Sequence, residues 1–170
     1  MSVAEAGRPE RHDRDAAGRY TVPVDLVLRY TRGDRLLAGL RRGGFAAGEW
    51  DSPSGKLEPG AALEHGMARE ALEETGLRLP PAQLRVAAMT HRHPPDGVPR
   101  IGVFFHLEAD PAPHGKPVIA EPAKCAELRG APLDAPPRPL LRHTEIGIEL
   151  FRSGRRYAAV DWPVGSGGRR

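Results

Sequence analysis

Gly55-Lys-Leu-Glu-Pro-Gly-Ala-Ala-Leu-Glu-His-Gly-Met-Ala-Arg-Glu-Ala-Leu-Glu-Glu-Thr-Gly-Leu77 is the stretch on which the fold turns. Gly55 to Gly60 has turn chemistry, whereas Ala61 to Thr75 is a run of good helix formers. Gly76 stands where a left-handed cap ends a helix. Leu63, Met67, Ala68 and Ala71 recur at three- and four-residue spacing and give that helix an apolar face. The same periodicity, 3.6 residues per turn, sets Glu70, Glu73 and Glu74 along one edge with Arg69 beside them.

Working outward, Val22 to Tyr30 reads as a partly buried strand, Thr31 to Asp34 as a turn, and Arg35 to Leu40 as the returning strand of a hairpin. Residues 42 to 48 form a glycine-rich loop, followed by a short extended segment from Glu49 to Ser54 that includes Trp50. Downstream, Leu84 to Thr90 and Ile101 to Glu108 are expected to be paired strands, with turn chemistry at His93-Pro-Pro-Asp-Gly97 between them. Asp110 to Pro122 is expected to be a loop, with a short strand around Glu127 to Ala131. A second helix is expected from Leu140 to Arg152, with Leu141, Ile146, Ile148, Leu150 and Phe151 available to pack and Gly154 following. Strands mixed with a central and a late helix imply an α/β layer fold, its mixed sheet burying apolar faces against both helices.

The 170 residues suit one domain, expected over 20–162 between a disordered N-terminal tail, 1–19, and a flexible C-terminal tail, 163–170. A composition of 39% hydrophobic and 28% charged residues is that of a globular protein, and 18 prolines with 20 glycines add many turns. The lone cysteine, Cys125, excludes an intrachain disulfide and a thiolate zinc cluster, and a reducing cytoplasm is the expected setting. The first nineteen residues mix arginines with acids and lack the apolar core of a signal peptide. No apolar run approaches the roughly 20 residues that span a bilayer, so no membrane partner is expected. The net charge is +3, and the five arginines from Arg152 onward against Asp161 alone give +4, which leaves −1 for the rest of the chain. A basic excess confined to one end is expected to be a solvated tail rather than a nucleic-acid surface.

Three carboxylates on one helix edge repel one another by a few tenths of a kcal/mol per pair, and a bound cation reverses that sign. Magnesium prefers oxygen ligands and sits between carboxylates and substrate phosphates, and manganese substitutes for it. Such a site neutralises phosphate charge and acidifies water for attack on phosphorus, with a carboxylate or loop residue taking the proton. The competing reading is a solvated acidic face whose ion pairs with Arg69 contribute about 0–1 kcal/mol each. The helix alone favours that second reading, and the loop before it overturns the balance.

Residues 55–77 closely resemble the Nudix box, the loop-helix-loop signature of the Nudix (MutT-like) hydrolases. The resemblance rests on Arg69-Glu-x-x-Glu-Glu-x-Gly76 with Gly55 fourteen residues upstream of the arginine. It implies the family's α/β/α sandwich and metal-dependent hydrolysis of a phosphoanhydride in a nucleoside diphosphate linked to another moiety, a nucleoside triphosphate first. An ADP-ribose or nucleotide-sugar pyrophosphatase is the near alternative, and a non-catalytic nucleotide-binding module is another. By position the resemblance makes Glu73 and Glu74 the principal metal ligands and Glu70 a further ligand or the general base. It gives Gly55 a carbonyl that reaches metal and Arg69 the orienting of a glutamate through charge-assisted hydrogen bonds. Glu58 is placed to pair with Arg69. Two positions depart from the pattern. Ala61 stands where a glutamate is usual, which leaves the general base open, and Ser54 stands where a glycine is usual.

Glu121-Pro-Ala-Lys-Cys-Ala-Glu-Leu128 resembles the segment that precedes the last sheet strand in MutT-like members, and makes Glu121 a candidate ligand or base. The aromatic residue that often follows is replaced by Gly130. Asp25, Arg29 and Arg100 are strand residues that could face substrate, arginine suiting phosphate geometry. His91 and His93 share a strand face but lack a third ligand, so exposed strand-end histidines are expected. Cys125 has no activating pattern and reads as a small buried filler. The expected partner is a small nucleotide, bound by a monomer or homodimer.

Overall fold

The computed structural model describes residues 17–19, 21–95 and 97–163. The two expected tails lie, apart from residues 17–19 and 163, outside the described residues. The hairpin expected near the start is formed by β1 (Val24–Arg32) and β2 (Arg35–Arg41), which pair antiparallel through Thr31↔Leu36 and Arg32↔Arg35. The turn is only Gly33-Asp34, shorter than the four residues expected. The segment around Trp50 is two short strands, β3 (Trp50–Asp51) and β4 (Ser54–Lys56), so the extended chain runs past Ser54 into the expected turn. The break between them is bridged from outside: Pro53 carbonyl accepts the Leu28 amide at 2.8 Å.

Helix α1 (Leu63–Thr75) ends at Gly76, whose φ of 70° is the left-handed cap that the glycine permits. Strands β5 (Arg85–Arg92) and β6 (Arg100–Glu108) pair antiparallel, as expected, and β6 runs parallel to β1 from Ile101 to Glu108. The expected 110–122 loop contains one helical turn, α2 (Pro111–His114). Pro111 opens it at the first helical position and the Asp110 carboxylate accepts the Ala112 amide. β7 (Cys125–Pro132) lies antiparallel on β2, and α3 (Arg142–Ser153) closes at Gly154. A final strand, β8 (Tyr157–Val160), parallel to β5, was not expected: of its residues only Ala158 is buried, and the arginines before it hide the pattern.

The result is one mixed eight-stranded sheet in the order β3-β2-β1-β6-β5-β8, with β4 also on β1 and β7 also on β2. Alternation along the strands sends side chains to two cores. Leu26, Leu28, Tyr30, Val103 and Phe105 pack under Met67 and Ala71 of α1. Val27, Phe104, Ala88 and Ala158 pack under Ile146 and Leu150 of α3. The architecture is therefore the α/β/α sandwich expected from the sequence. Phe151, expected to pack, is instead 41% exposed, and the Arg29 guanidinium lies 3.4 Å from its ring centroid. No helix among the described residues is long and apolar enough to cross a membrane.

Candidate active site

The site is built where β4 passes the acidic edge of α1. Gly55 in β4 abuts the Glu70 carboxyl so closely that a Cβ there would overlap it, which is why the strand carries glycine at this point. The neighbouring Ser54 amide donates to Glu74 Oε2 at 3.0 Å. Ser54, the departure from the usual glycine, still supplies this amide, and its hydroxyl adds a 3.1 Å bond to Asp51.

Arg69 gathers the remaining acids. One guanidinium nitrogen is 2.6 Å from Glu70 Oε1, the other donates to both Glu73 oxygens at 3.0 and 3.2 Å, and Glu58 lies at 3.6 Å. The Glu58–Arg69 pairing expected from sequence is thus present. Glu73 is half-exposed and turned toward Arg69, away from the cleft that Gly55, Glu70 and Glu74 line. The three glutamates share a helix edge but not one orientation.

Glu121 reaches the site through the backbone. Residues 115–121 lie along the last turn of α1, with the Val118 amide on Thr75 carbonyl at 2.9 Å and the Ala120 amide on Glu74 carbonyl at 3.2 Å. These bonds satisfy carbonyls that a helix end otherwise leaves without partners. Glu121 then lines the cleft with Glu70 and Glu74 and pairs with Lys124 at 2.7 Å.

Burial raises Glu74 to about 8, against the opposing Ser54 amide and helped by the charges of Asp51, Glu70 and Glu121. Burial also raises Glu70, with Arg69 opposing it. A carboxylate group so poorly compensated has the chemistry of a hard divalent-cation site: oxygen donors, excess negative charge, and a main-chain carbonyl kept close by a residue without a side chain. Among the described residues no three His, Cys, Asp or Glu side chains converge on one point; each carboxylate is held by its own donor, Glu73 by Arg69, Glu74 by Ser54 and Glu121 by Lys124. The donor set fits a cation that takes two or three of these oxygens together with phosphate and water.

Sequence reasoning missed the floor of the cleft. Asp51 is almost fully buried and accepts four hydrogen bonds: His143 Nε2 and Thr144 Oγ1 at 2.7 Å, Arg41 and Ser54 Oγ at 3.1 Å. Burial pushes its carboxyl up, but His143, Thr144 and Arg41 outweigh that and hold it below the usual value. His143 therefore has its Nε2 proton fixed on Asp51 while its ring lines the cleft. Phe45, 79% exposed at the tip of the 42–48 loop, lines the same cleft, where an aromatic face is open to an occupant. No local pattern marked these residues; only an exposed aromatic within a glycine-rich loop was a usable signal.

The other sequence candidates separate. Asp25 and Arg100 pair at 3.6 Å and line the cleft. Arg29 does not reach it: its Nε donates to His106 Nδ1 at 3.1 Å and it lies over Phe151 beside α3, where burial lowers it to about 10. His91 and His93 pack on Trp162. Cys125 donates to Glu127 carbonyl and is raised by burial, unlike an activated thiol. The cleft enclosed by all these elements measures about 1400 Å³.

A family model described as the NUDIX domain matches residues 19–152. The chain is 46% identical over 43 residues, a quarter of its length, to the oxidized purine nucleoside triphosphate hydrolase of Mus musculus, covering 28% of that protein. It is 40% identical over 58 residues to the NAD-capped RNA hydrolase NudC of Stutzerimonas stutzeri, covering 34% of this chain and 21% of that one. The matched stretch thus spans about a third or less of these relatives. Among solved structures, a MutT NUDIX hydrolase from Burkholderia pseudomallei superposes with a TM-score of 0.68 at 25% identity, over 76% of this chain and 97% of that one.

Proposed function

The chain belongs to the Nudix hydrolase family, and from that premise we propose that it hydrolyses a phosphoanhydride bond in a nucleoside diphosphate linked to another moiety, with Mg2+, or Mn2+ in its place. The observation that carries this reading is the contact of side-chain-free Gly55 with Glu70, and of the Ser54 amide with Glu74, on the wall of a large cleft. Glu73, Glu74 and the Gly55 carbonyl, with Glu121 as a further donor, are the groups that would hold the metal, and Glu70 is kept for the proton. When bound, it supplies charge neutralisation on the diphosphate and acidification of water.

The protein's own groups do the rest. Arg69 fixes Glu70 Oε1, leaving Oε2 without a hydrogen bond among the described residues and placed to take a proton from the attacking water. Burial, which raises Glu70, makes that carboxylate a better base than an exposed glutamate. This assigns to Glu70 the role that Ala61 leaves open. Phe45 and the Asp51-oriented His143 bind the nucleoside end, the first by stacking and the second by accepting a hydrogen bond at Nδ1, the nitrogen left without a proton when Nε2 donates to Asp51. A nucleoside triphosphate is the first substrate to test, because two relatives, similar over 43 and 54 residues, are oxidized purine nucleoside triphosphate hydrolases.

The test is a panel of nucleoside triphosphates, nucleotide sugars and ADP-ribose with and without Mg2+, and products resolved by chromatography. Triphosphate turnover to monophosphate and pyrophosphate supports the reading. Turnover confined to ADP-ribose or sugar nucleotides moves the substrate, and tight nucleotide binding without product removes the hydrolase.

A further inference from the structure

Past Gly55 the cleft runs on across four neighbouring strands, and its wall there is basic. Lys56 on β4 stands opposite Asp25 on β1, Asp25 pairs with Arg100 on β6, and Arg100 stands opposite Arg92 on β5. All four side chains line the cleft. Adjacent strands lie about 4.8 Å apart, so the row is about 14 Å long, more than one phosphate group covers.

The row is out of balance. Asp25 is its single acid, and it serves Arg100 at 3.6 Å. Among the described residues neither Lys56 nor Arg92 has a side-chain hydrogen bond or ion pair, although both are on the cleft wall. Arg92 and Arg100 are direct cross-strand partners, an arrangement that costs free energy when nothing lies between the two charges. The neighbouring arginine of the cleft, Arg142, is already engaged by Asp161 at 3.1 Å and by Glu145 at 3.4 Å. Arg92 and Lys56 are therefore the cations with coordination to offer, one at each end of the row.

The cleft's size agrees. About 1400 Å³ exceeds the 300–1,000 Å³ usual for a pocket holding one small ligand. A nucleoside at Phe45 and His143 with its diphosphate at Gly55 and Glu70 leaves the β5–β6 end for the other half of the substrate.

We propose that Lys56, Arg100 and Arg92 form an anion subsite for phosphate carried by the departing half of the substrate, as in two nucleotides joined through a polyphosphate bridge. The inference rests on the hydrolase reading above for its orientation, but not for the binding of anion. Arginine supplies the planar fork that grips phosphate oxygens in pairs, and Lys56 a point charge next to the scissile bond. An uncharged sugar on the departing half leaves this row unused.

Two measurements on the full chain test it. The first compares kcat/KM, with Mg2+, for a dinucleoside tetraphosphate and for a nucleotide sugar with an uncharged hexose, in wild type, Arg92→Gln and Arg92→Lys. The expected result is a loss of about tenfold on the tetraphosphate for Arg92→Gln, carried by KM, with Arg92→Lys recovering part of it and the sugar nucleotide losing less. An equal change on both substrates overturns the subsite. The second is calorimetric binding of inorganic tripolyphosphate in metal-free buffer, which needs no turnover. Arg92-dependent, salt-sensitive binding in a protein that hydrolyses nothing keeps the subsite and removes the hydrolase. Hydrolysis together with tripolyphosphate binding that ignores Arg92 keeps the hydrolase and removes the subsite.

Discussion

Gly55 and Glu70 occupy one another's space: the glycine lies where any Cβ would overlap the glutamate's carboxyl group. Strand β4 and the acidic helix are thus in contact through a side chain on one partner and bare backbone on the other. Gly55→Ala must push Glu70 out of its bond with Arg69 or open β4 from α1. The expected outcome is a fall in turnover of about 100-fold or more with a cooperative melt retained, the scale at which about 1 Å of misplacement acts on a catalytic group. Turnover within twofold of wild type would show that Glu70 does not need its observed position.

Glu74 provides a test that needs no substrate. Its carboxyl is raised from 4.5 to about 8, so the folded state holds a proton that the unfolded chain has already released above 4.5. The folded state binds more protons between these values, and stability is full below about 4.5 and lost as pH rises through about 8. Glu74→Gln keeps an oxygen for the Ser54 amide and removes the charge. With chelator present, its Tm is expected to exceed wild type above pH 8 and the difference to vanish at pH 4, while Mg2+ stabilises only the wild type. Equal melting curves at pH 9 would contradict the burial of that charge.

Asp51 has the opposite sign. Its carboxyl is held below the usual value by His143, Thr144 and Arg41 in spite of burial, so its contribution is present above the unfolded carboxylate value and lost as pH falls through the lowered one. Asp51→Asn leaves His143 and Arg41 without their shared anion. A hydrogen bond to a charged group contributes about 1.5–3 kcal/mol, and urea melts at pH 7 are expected to show a loss of at least that order. The variant's stability should also vary less than the wild type's across the acid range. The altered His143 tautomer is expected to raise KM for nucleotide more than it lowers kcat.

What could be read from the sequence, and what could not, divides by distance along the chain. Helix α1, its apolar face and its Gly76 cap come from neighbours within one or two turns, and the arginine clamp on Glu58, Glu70 and Glu73 lies within sixteen residues. The β1–β2 hairpin and the β5–β6 pair are likewise local. Asp51 and His143, by contrast, are 92 residues apart and belong to no motif; only the docking of α3 beside β3 joins them. Glu121 was marked by resemblance, yet its place depends on backbone bonds from Val118 and Ala120 to the end of α1, which leave no trace in side-chain pattern. Arg29 illustrates the reverse error. Strand position suggested a substrate contact, while the register puts it under α3 against Phe151. Orientation within the acidic edge was equally hidden, because Arg69 competes for Glu73 and periodicity does not say which acid it takes.

That competition frames the remaining prediction. Glu73 is half-exposed, bonded through both oxygens to Arg69, and outside the cleft lining. As a metal ligand it must exchange Arg69 for the cation, whereas as a structural partner of Arg69 it keeps its place and acts on Glu70 through the guanidinium. Glu73→Gln separates the two, since a neutral amide still accepts from Arg69 but is a poor ligand for Mg2+. The ligand role predicts an increase of about tenfold or more in the Mg2+ concentration for half-maximal activity, the scale of losing one charged donor. Arg69→Lys, which keeps the charge and loses the fork, is expected to lower kcat with a smaller change in Mg2+ dependence. Full turnover at unchanged Mg2+ dependence in Glu73→Gln would confine the metal site to Glu74, Glu121 and the Gly55 carbonyl.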